Sequence, residues 1–351
     1  MTELIVTNLN PRYTGVSSTA ARLVRVQAGR YDMALAGHAL PGCPDPVTVS
    51  GARALTRAAP PGRPFAIWHV RRNTEMRAAL WARDVLRLPI RAVFTTAGTH
   101  RHSAFPRWLM GRMDALIATM PAAAAGKPHL AATVPHGVDC AVWQPAPDRA
   151  AAWAATGFPG RRGVAAVGRI RDSKGTDRFV ETMLRVLPGH PDVTALVLGQ
   201  ARPQHQGFLD GLKAKVRAAG LANRLLFPGE IAPDAMPALI RACSLTVPLP
   251  RYEPYGMTPL EGMASGVPFV GSPTGAFATF AEGEEAGIVV TEDDLVGQAS
   301  ARIDALLSDP ARLEAMSRAA RARAVERHSI EREADGIGRV YEALWAGETF
   351  P

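Results

Sequence analysis

The stretch RYEPYGMTPLEGMASGVPFVGSPTGA (residues 251–276) carries the strongest indication of fold and chemistry in this chain. It follows the apolar run SLTVPLP (residues 244–250), so it starts where a predicted strand ends. Within it, Glu253 and Glu261 are separated by seven residues that include a glycine and a proline. A loop that leaves a strand and leads into a helix is where parallel α/β sheets bind ligands. The stretch therefore predicts an α/β fold with a binding site at this strand end.

The start of the predicted helix in that stretch is suited to holding a diphosphate. Gly256 lets the backbone approach a ligand closely, and the N–H groups of Gly256, Met257 and Thr258 are free at a helix N-terminus. Glu261, further along the helix, is placed to accept hydrogen bonds from a ribose diol, and Glu253 faces the site. The alternative is an ordinary capped helix with solvated glutamates, which the length and composition of the motif disfavour.

A second loop supplies positive charge. GRIRDSKGTDRF (residues 168–179) follows the predicted strand GVAAVG, and it places Arg169 and Lys174 at the sheet edge that carries the first loop. Two cations there would neutralise a departing diphosphate without a metal ion. Arginine and lysine are also common surface residues, so a functional role for this loop is indicated only together with the glutamate motif downstream.

Short apolar segments alternate with helical ones along the whole chain, as in a parallel sheet covered by helices. The first series of predicted strands is LIVTNL (4–9), YDMALAG (31–37), PFAIWHV (64–70), RAVFTTAG (91–98), DALIATM (114–120) and LAATVPHG (130–137). The second series is GVAAVGRI (163–170), VTALVLGQ (193–200), RLLFPGE (224–230), SLTVPLP (244–250), VPFVGS (267–272) and GIVV (287–290). Two series predict two α/β domains.

Residues 144–162, QPAPDRAAAWAATGFPGRR, lack a strand pattern and concentrate proline, glycine and alanine. We place the domain boundary there, between a first domain of residues 1–150 and a second of residues 151–330. The last stretch is predicted to be helical throughout, with Pro310 starting a new helix.

Composition excludes several classes of protein. The 351 residues include three cysteines, Cys43, Cys140 and Cys243, without the spacing of a disulfide framework or a zinc site, which indicates a reducing, cytoplasmic setting. We expect no secretion signal, because the apolar run among the first residues is too short for one, and no apolar stretch reaches the roughly 18 residues of a membrane span.

Positive charge is concentrated in the first part of the chain. Residues 1–150 hold 18 Lys and Arg against 8 Asp and Glu, a net charge of +10, whereas the rest hold 22 against 24, a net charge of −2. The asymmetry indicates an anionic partner for the first domain, either a membrane surface or a nucleic acid, unless it reflects arginine-rich composition alone. No helix-turn-helix or aromatic-interleaved basic motif supports nucleic acid.

An arginine-rich helix is predicted within residues 71–87. Its apolar positions have mixed helical spacing, which fits either an amphipathic core helix or a contact with the membrane surface. We favour the contact, through Arg71, Arg72, Arg77 and Arg83.

The motifs together resemble the retaining GT-B glycosyltransferases of family 4 over essentially the whole chain. The resemblance is carried by VAAVGRIRDSKGTDRF, by the Gly229–Glu230 turn and by RYEPYGMTPLEGMASGVPFVGSPTGA. Within that family, NLNPRYTGVSST, WHVRRNTEM, RWLMGRMDALIAT and PHGVD look like bacterial lipopolysaccharide core mannosyltransferases. The resemblance implies two Rossmann-like domains that face a cleft, with a C-terminal helix, residues 331–351, returning to the first domain.

The resemblance also implies a reaction. The donor would be GDP-mannose and the acceptor an inner-core sugar, Kdo, of a lipid-linked lipopolysaccharide precursor, which places the enzyme in the cytoplasm or peripherally on the inner face of the cytoplasmic membrane. Arg169 and Lys174 would bind the diphosphate and Glu261 the ribose. Glu253, with the backbone of Gly256, Met257 and Thr258, would bind the transferred sugar and the phosphates.

Two departures from the family concern the first domain. Many relatives carry a Gly-Gly pair in the first loop, where this chain has Thr14-Gly15-Val16; Gly15 would close over the donor. Relatives often have a histidine after the fourth strand, and here the candidates for contact with the acceptor or the transferred sugar are His102, a few residues later, and His69, at the end of an earlier strand. No Asp-x-Asp pair flanks the donor motif, so we expect no metal cofactor.

Three other interpretations stay open at this stage: transfer from another nucleotide sugar by an enzyme of the same family, epimerisation of a nucleotide sugar, and a non-catalytic protein that binds a ligand with this fold. Epimerisation needs no acceptor, and the basic surface of the first domain disfavours it. The complete set of Arg169, Lys174, Glu253 and Glu261 disfavours a protein that has lost catalysis.

Overall fold

The computed structural model describes residues 2–99 and 103–350, and the chain divides into two units. The first unit runs to Gly137 and resumes at Ile330; the second is Val138–Ser329. The division falls before the proline-rich stretch at which we placed the boundary. Val138 donates its N–H to the carbonyl of His328, and the Arg321 guanidinium binds the carbonyl groups of Cys140 and Trp143, so residues after 137 are tied to the second unit.

The first unit is built on a six-stranded parallel sheet with the order β2-β1-β3-β4-β5-β6. Its strands are β1 (Leu4–Asn8), β2 (Met33–Gly37), β3 (Ala66–Val70), β4 (Ile90–Thr96), β5 (Ala115–Ala118) and β6 (Leu130–Thr133). Every residue of β1, β3 and β5 is buried, as expected for strands with helices on both faces.

Helices cover both faces of this sheet. They are α1 (Gly15–Gln27), α2 (Val49–Leu55), α3 (Asn73–Leu80), α4 (Ala104–Met110), α5 (Pro121–Ala124) and, at the end of the chain, α14 (Ile330–Trp345), with a π-helical turn Trp81–Val85 directly after α3. One face packs Trp68 and Phe94 against Met76 of α3 and Leu109 of α4. The other is covered by α1 and α14, which bring apolar side chains such as Leu23 and Tyr341 against the sheet.

The second unit is built on a six-stranded parallel sheet with the order β12-β11-β10-β7-β8-β9. Its strands are β7 (Arg162–Val167), β8 (Val193–Leu198), β9 (Leu225–Gly229), β10 (Leu245–Thr246), β11 (Phe269–Gly271) and β12 (Gly287–Val289). Its helices are α6 (Arg149–Ala155), α7 (Thr176–Val186), α8 (Gln206–Ala218), α9 (Met236–Ala242), α10 (Met257–Ala264), α11 (Phe277–Ala281), α12 (Leu295–Ser308) and α13 (Pro310–His328).

The predicted fold class is confirmed: two parallel sheets of six strands, each covered by helices. Every predicted strand has its counterpart. Pro310 does start a helix, and the Asp309 side chain caps it by accepting from the N–H of Arg312 at 2.9 Å. The predicted helical run breaks once more, at Ser329, which allows α14 to join the first unit.

The interpretation of the arginine-rich segment needs a correction. Arg71 and Arg72 precede α3 and face inward: Arg71 is buried, and Arg72 donates to Asn8, Thr14, Ser17 and Glu75. Arg83 is held by carboxylates of Asp84 and Asp114. Three of the four arginines that we assigned to a membrane contact therefore have structural partners or are buried; Arg77 is exposed.

Within the described ranges, none of the helices combines the length and the apolar character needed to cross a bilayer.

Candidate active site

The second sheet reverses its strand order between β7 and β10. The chain progresses outward from β7 through β8 to β9 on one side, and outward from β10 through β11 to β12 on the other. Because connections then leave the two neighbouring strands in opposite directions, a crevice opens at their carboxyl ends, where open α/β sheets bind ligands. The loop after β7 carries Arg169 and Lys174, and the loop after β10 carries Glu253, so the two sequence motifs meet at this point.

Two glycines allow close packing around the crevice, Gly175 between the two loops and Gly256 against α11. Gly175 has φ +66°, and a Cβ there would lie 1.8 Å from the carbonyl oxygen of Leu249 in the other loop. Gly256 has φ +99°, and a Cβ there would lie 2.1 Å from Cε1 of Phe277. Both positions require a left-handed backbone conformation and leave no room for a side chain, which is the property that glycine supplies.

The crevice holds a pocket of about 110 Å³. Five residues that the sequence predicted for the site line it: Arg169, Lys174, Glu253, Gly256 and Thr258. A second pocket of about 410 Å³ adjoins it and shares Val167, Gly168 and Arg169. Glu230, from the Gly-Glu turn after β9, lines this second pocket. The adjoining pockets offer an elongated ligand one continuous surface within the second unit.

Charge in the first pocket is divided between a paired and an unpaired cation. The Lys174 Nζ donates to Oε2 of Glu253 at 2.6 Å, and both side chains are largely shielded from solvent. Arg169 is exposed, and no other side chain that the structure describes forms an ion pair or hydrogen bond with its guanidinium. Among the residues that the structure describes, the pocket therefore offers an anion the unpaired guanidinium of Arg169 and a lysine whose charge is balanced by the Glu253 carboxylate.

The N-terminus of α10 adds a third positive element. Gly256 is the residue before the helix, and the first N–H groups of an α-helix have no partner within it. No acidic residue stands in the first turn, so the partial positive charge of the helix end is not balanced by a side chain of that turn. Met257 contributes its N–H at this end, and Glu261 lies one turn further along. Neither Met257 nor Glu261 is among the residues that line the two pockets.

Sequence reasoning missed part of the pocket wall. Thr176 at the start of α7 and Phe277 at the start of α11 line the first pocket, and Gln200 and Arg202, which follow β8, line the second. Gln200 and Arg202 could have been found from the sequence, because they stand at or just after the end of a predicted strand, and that strand lies next to β7. Phe277 gave no such signal, because only the tertiary structure brings it over Gly256.

The structure gives a separate result for each site residue that we predicted in the first domain. Gly15 belongs to the first unit, where it is the first residue of α1 and a Cβ would meet open space. His102 lies outside the described residues. The alternative candidate His69 is wrong, because its side chain is fully buried and hydrogen-bonded to the hydroxyl groups of Tyr341 and Thr95. Burial holds the pKa of His69 well below its usual range, so it is a neutral core residue.

The first sheet reverses its order between β1 and β3, and a buried polar network occupies the ends of these strands. The fully buried Glu75 carboxylate accepts from the Thr7 hydroxyl, the Leu9 and Arg71 N–H groups and the Arg72 guanidinium, at 2.8–3.2 Å. Arg72 also donates to the hydroxyl groups of Thr14 and Ser17. The network fixes the loop between β1 and α1, which carries the sequence around Gly15.

His136 is a structural residue of the first unit. Its Nδ1 and the N–H of Gly137 each contact the carboxylate of Glu333 in α14 at 2.8 Å. This carboxylate ties the turn at the end of the first stretch of the unit to its C-terminal helix. Across residues 2–99 and 103–350, His, Cys, Asp and Glu side chains form no group of three or more that could hold a metal ion.

Known proteins resemble this chain both in sequence and in fold. The family model described as glycosyl transferases group 1 matches residues 154–323. The lipopolysaccharide core biosynthesis mannosyltransferase LpsB of Rhizobium meliloti (strain 1021) is 41% identical over 97% of this chain and 97% of its own. The corresponding mannosyltransferase LpcC of Rhizobium leguminosarum bv. viciae is 39% identical over 97% and 96%. The structure of Anabaena HepE in complex with UDP shares the fold, with a TM-score of 0.81 at 17% identity over 97% of this chain and 100% of that one.

The contact between Gly256 and Phe277 predicts the effect of adding a methyl group. We expect Gly256→Ala to destabilise the protein by about 1–3 kcal/mol, because the new Cβ overlaps the phenyl ring and φ +99° is strained for alanine. Gly207→Ala in α8 is the matched control, since a Cβ there meets nothing within 4 Å. Thermal denaturation of both variants measures the difference. A Gly256→Ala variant that melts with the wild type would show that the loop does not have this conformation.

Proposed function

The chain belongs to the group 1 glycosyltransferases and has the GT-B fold, and on that premise we propose that it is a retaining mannosyltransferase. The donor is GDP-mannose, and the acceptor is an inner-core sugar, Kdo, of a lipid-linked lipopolysaccharide precursor. The observation that carries the proposal is the pocket that gathers Arg169, Lys174, Glu253 and the start of α10 in a chain that two core mannosyltransferases match along its length.

In this proposal the donor diphosphate occupies the first pocket. Arg169 contributes a guanidinium for which no described side chain competes, and this group binds phosphate oxygens through several N–H groups. The N–H groups at the start of α10 supply further donors. Lys174 turns from Glu253 to the diphosphate, and Glu253 is then free to accept hydrogen bonds from hydroxyl groups of the mannose. The guanine base extends toward the second pocket, and the ribose contacts Glu261 of α10, which lies outside the walls of both pockets.

The transfer step needs charge stabilisation more than a strong base. The bond between C1 of mannose and the β-phosphate oxygen breaks, and the acceptor oxygen bonds to C1 on the same face. The acceptor proton passes to the departing phosphate oxygen, so that GDP leaves and the configuration at C1 is retained. Arg169 and Lys174 balance the charge that develops on the diphosphate, which is the largest contribution expected from such a site.

The lipid-linked acceptor sets the place of the reaction. We propose that the enzyme acts in the cytoplasm at the inner face of the cytoplasmic membrane, where a nucleotide sugar and a lipid-anchored precursor meet. The first unit, residues 1–137 and 330–351, holds 19 Lys and Arg against 11 Asp and Glu, and this net charge of +8 supports an anionic membrane surface as its partner. Nucleic acid has no comparable support.

We expect that the reaction requires no metal ion, because two side-chain cations and a helix N-terminus already face the diphosphate position. These groups provide the stabilisation that a divalent cation supplies in other phosphate chemistry.

A panel of nucleotide sugars tests the function. Of the nucleotide sugars in the panel, we expect only GDP-mannose to release its nucleoside diphosphate rapidly. This release should require a Kdo-containing lipid precursor, and mass spectrometry of the product should show one added hexose. Activity should persist in excess EDTA. Transfer from another nucleotide sugar, or release of the diphosphate without an acceptor, would contradict the proposed donor and acceptor. Loss of activity in EDTA that Mg²⁺ or Mn²⁺ restores would refute metal independence.

The two cations predict a common defect. Arg169→Ala and Lys174→Ala should each lower kcat by about 100-fold or more, since each removes charge that stabilises the leaving diphosphate. Arg217→Ala is the matched control, because Arg217 is exposed at the end of α8 and lies outside both pockets. Steady-state kinetics with GDP-mannose, after circular dichroism has shown the variants folded, measures the effect. Near-normal turnover in either folded variant would remove that residue from the mechanism.

A further inference from the structure

The first unit exposes a group of large apolar side chains beside the turn that follows α3. Trp81 and Val85, in the π-helical turn, and Phe105 and Trp108, in α4, line a shallow groove of about 540 Å³. We call these four residues the aromatic patch. Each is exposed by 51–55%, whereas apolar residues elsewhere in the two elements, such as Leu109 and Ala82, are buried.

Clustering distinguishes this patch from ordinary surface hydrophobics. Single exposed apolar residues are common, but a contiguous patch marks a surface that meets a partner or a membrane. The rings of Phe105 and Trp108 stack with centroids 6.1 Å apart, and Arg112 lies over Trp108 at 5.6 Å. Four of the six tryptophans of the chain are buried; the two exposed ones, Trp81 and Trp108, are both in this patch.

The rim of the patch is positively charged. Arg77 and Arg112 line the groove, and Arg87 and Arg107 are exposed in the same segments. Asp84 is the acidic residue that lines the groove, and it is paired with Arg83 and Arg112. Aromatic side chains surrounded by guanidinium groups match the boundary between lipid headgroups and acyl chains, where tryptophan is enriched and phosphates attract arginine.

We propose that the aromatic patch docks the first unit onto an anionic lipid bilayer, with Trp81, Phe105 and Trp108 at the level of the headgroups and the arginines against lipid phosphates. The inference rests on the proposed function in one respect, that a lipid-linked acceptor gives the contact its role. It also relocates the membrane contact: the buried Arg71, the loop-holding Arg72 and the ion-paired Arg83 are not part of it.

Charge favours a bilayer over a second copy of the chain as the occupant. A symmetric dimer through this surface would bring the same arginine-rich rim against itself, and like charges in contact oppose association. An anionic bilayer offers the opposite charge together with an apolar layer for the rings. Binding through a few aromatic residues and arginines is reversible, which suits an enzyme that must move between acceptor molecules.

The test uses the full chain without donor or acceptor, mixed with vesicles of phosphatidylcholine or of phosphatidylcholine with phosphatidylglycerol. We expect co-sedimentation with the anionic vesicles, release at high salt, and a blue shift of tryptophan fluorescence on binding. Bromine-labelled lipid should quench that fluorescence. Trp81→Phe with Trp108→Phe should keep the binding and lose both optical signals, because the four remaining tryptophans are buried.

Two further variants assign the binding energy. Trp81→Ser with Phe105→Ser and Trp108→Ser should lower the partition constant by about tenfold or more, and Arg77→Gln with Arg112→Gln should lower it by about fivefold for each arginine. The controls are Leu55→Ser with Val142→Ser and Val325→Ser, which are exposed apolar residues elsewhere, and Arg185→Gln with Arg217→Gln in the second unit. Neither control should change the partition constant.

The outcomes separate this inference from the proposed function. The serine variant should keep its turnover on a deacylated, water-soluble acceptor and lose it on the acylated acceptor embedded in vesicles. If no acceptor is glycosylated, the proposed function fails, but vesicle binding still tests whether the aromatic patch docks on a bilayer. Equal binding of wild type and serine variant to anionic vesicles would overturn the inference. A dimer in sedimentation velocity that the serine variant abolishes, without vesicle binding, would show that the patch joins two copies instead.

Discussion

The reversal of strand order between β7 and β10 is the constraint on which the site depends. It opens the crevice into which the loops after both strands project, and it brings Lys174 within 2.6 Å of Glu253 although 79 positions separate them. Gly175 lets the backbone of these loops pack without a side chain between them, and Gly256 leaves room for the ring of Phe277 beside the pocket. Substitution of either glycine would alter the shape of the pocket even if all its charged residues were kept. The position of the binding pocket is therefore a consequence of sheet topology, and the charged side chains determine which ligand it can bind.

The two units use the same topological position in different ways. In the first unit, the ends of β1 and β3 are filled by an internal network in which Glu75 and Arg72 satisfy each other and the neighbouring loop. In the second unit, the corresponding crevice keeps Arg169 without a partner among the described residues and balances Lys174 with one carboxylate. The bonds between Glu75, Arg72 and the loop stabilise that loop, because their removal would leave buried polar groups unpaired. The guanidinium of Arg169 is instead exposed in a pocket where a ligand can reach it, which is why we assign the donor to the second unit.

Sequence predicted the strands and the main loops well, because fully buried parallel strands are short apolar runs and their ends are marked by glycine and charged residues. It failed where a residue's neighbour is distant in sequence. His69 looked like a free strand-end histidine, yet Tyr341, from the last helix, closes over it. Arg72 looked like a surface arginine, and the loop of Thr14 and Ser17 folds back on it. Trp81 and Trp108 could have been core residues of two helices, and only the fold shows that both face solvent.

In the proposed mechanism the diphosphate and Glu253 compete for Lys174, and Glu253 binds the transferred sugar. Titration calorimetry of Glu253→Gln with GDP, combined with its turnover of GDP-mannose, tests this most directly. We expect the variant to bind GDP several-fold more tightly, because Lys174 no longer has a carboxylate partner. We expect it to transfer mannose at least about tenfold more slowly, because the sugar loses a charged hydrogen-bond acceptor. Weaker GDP binding by the folded variant, or unchanged turnover, would contradict this mechanism.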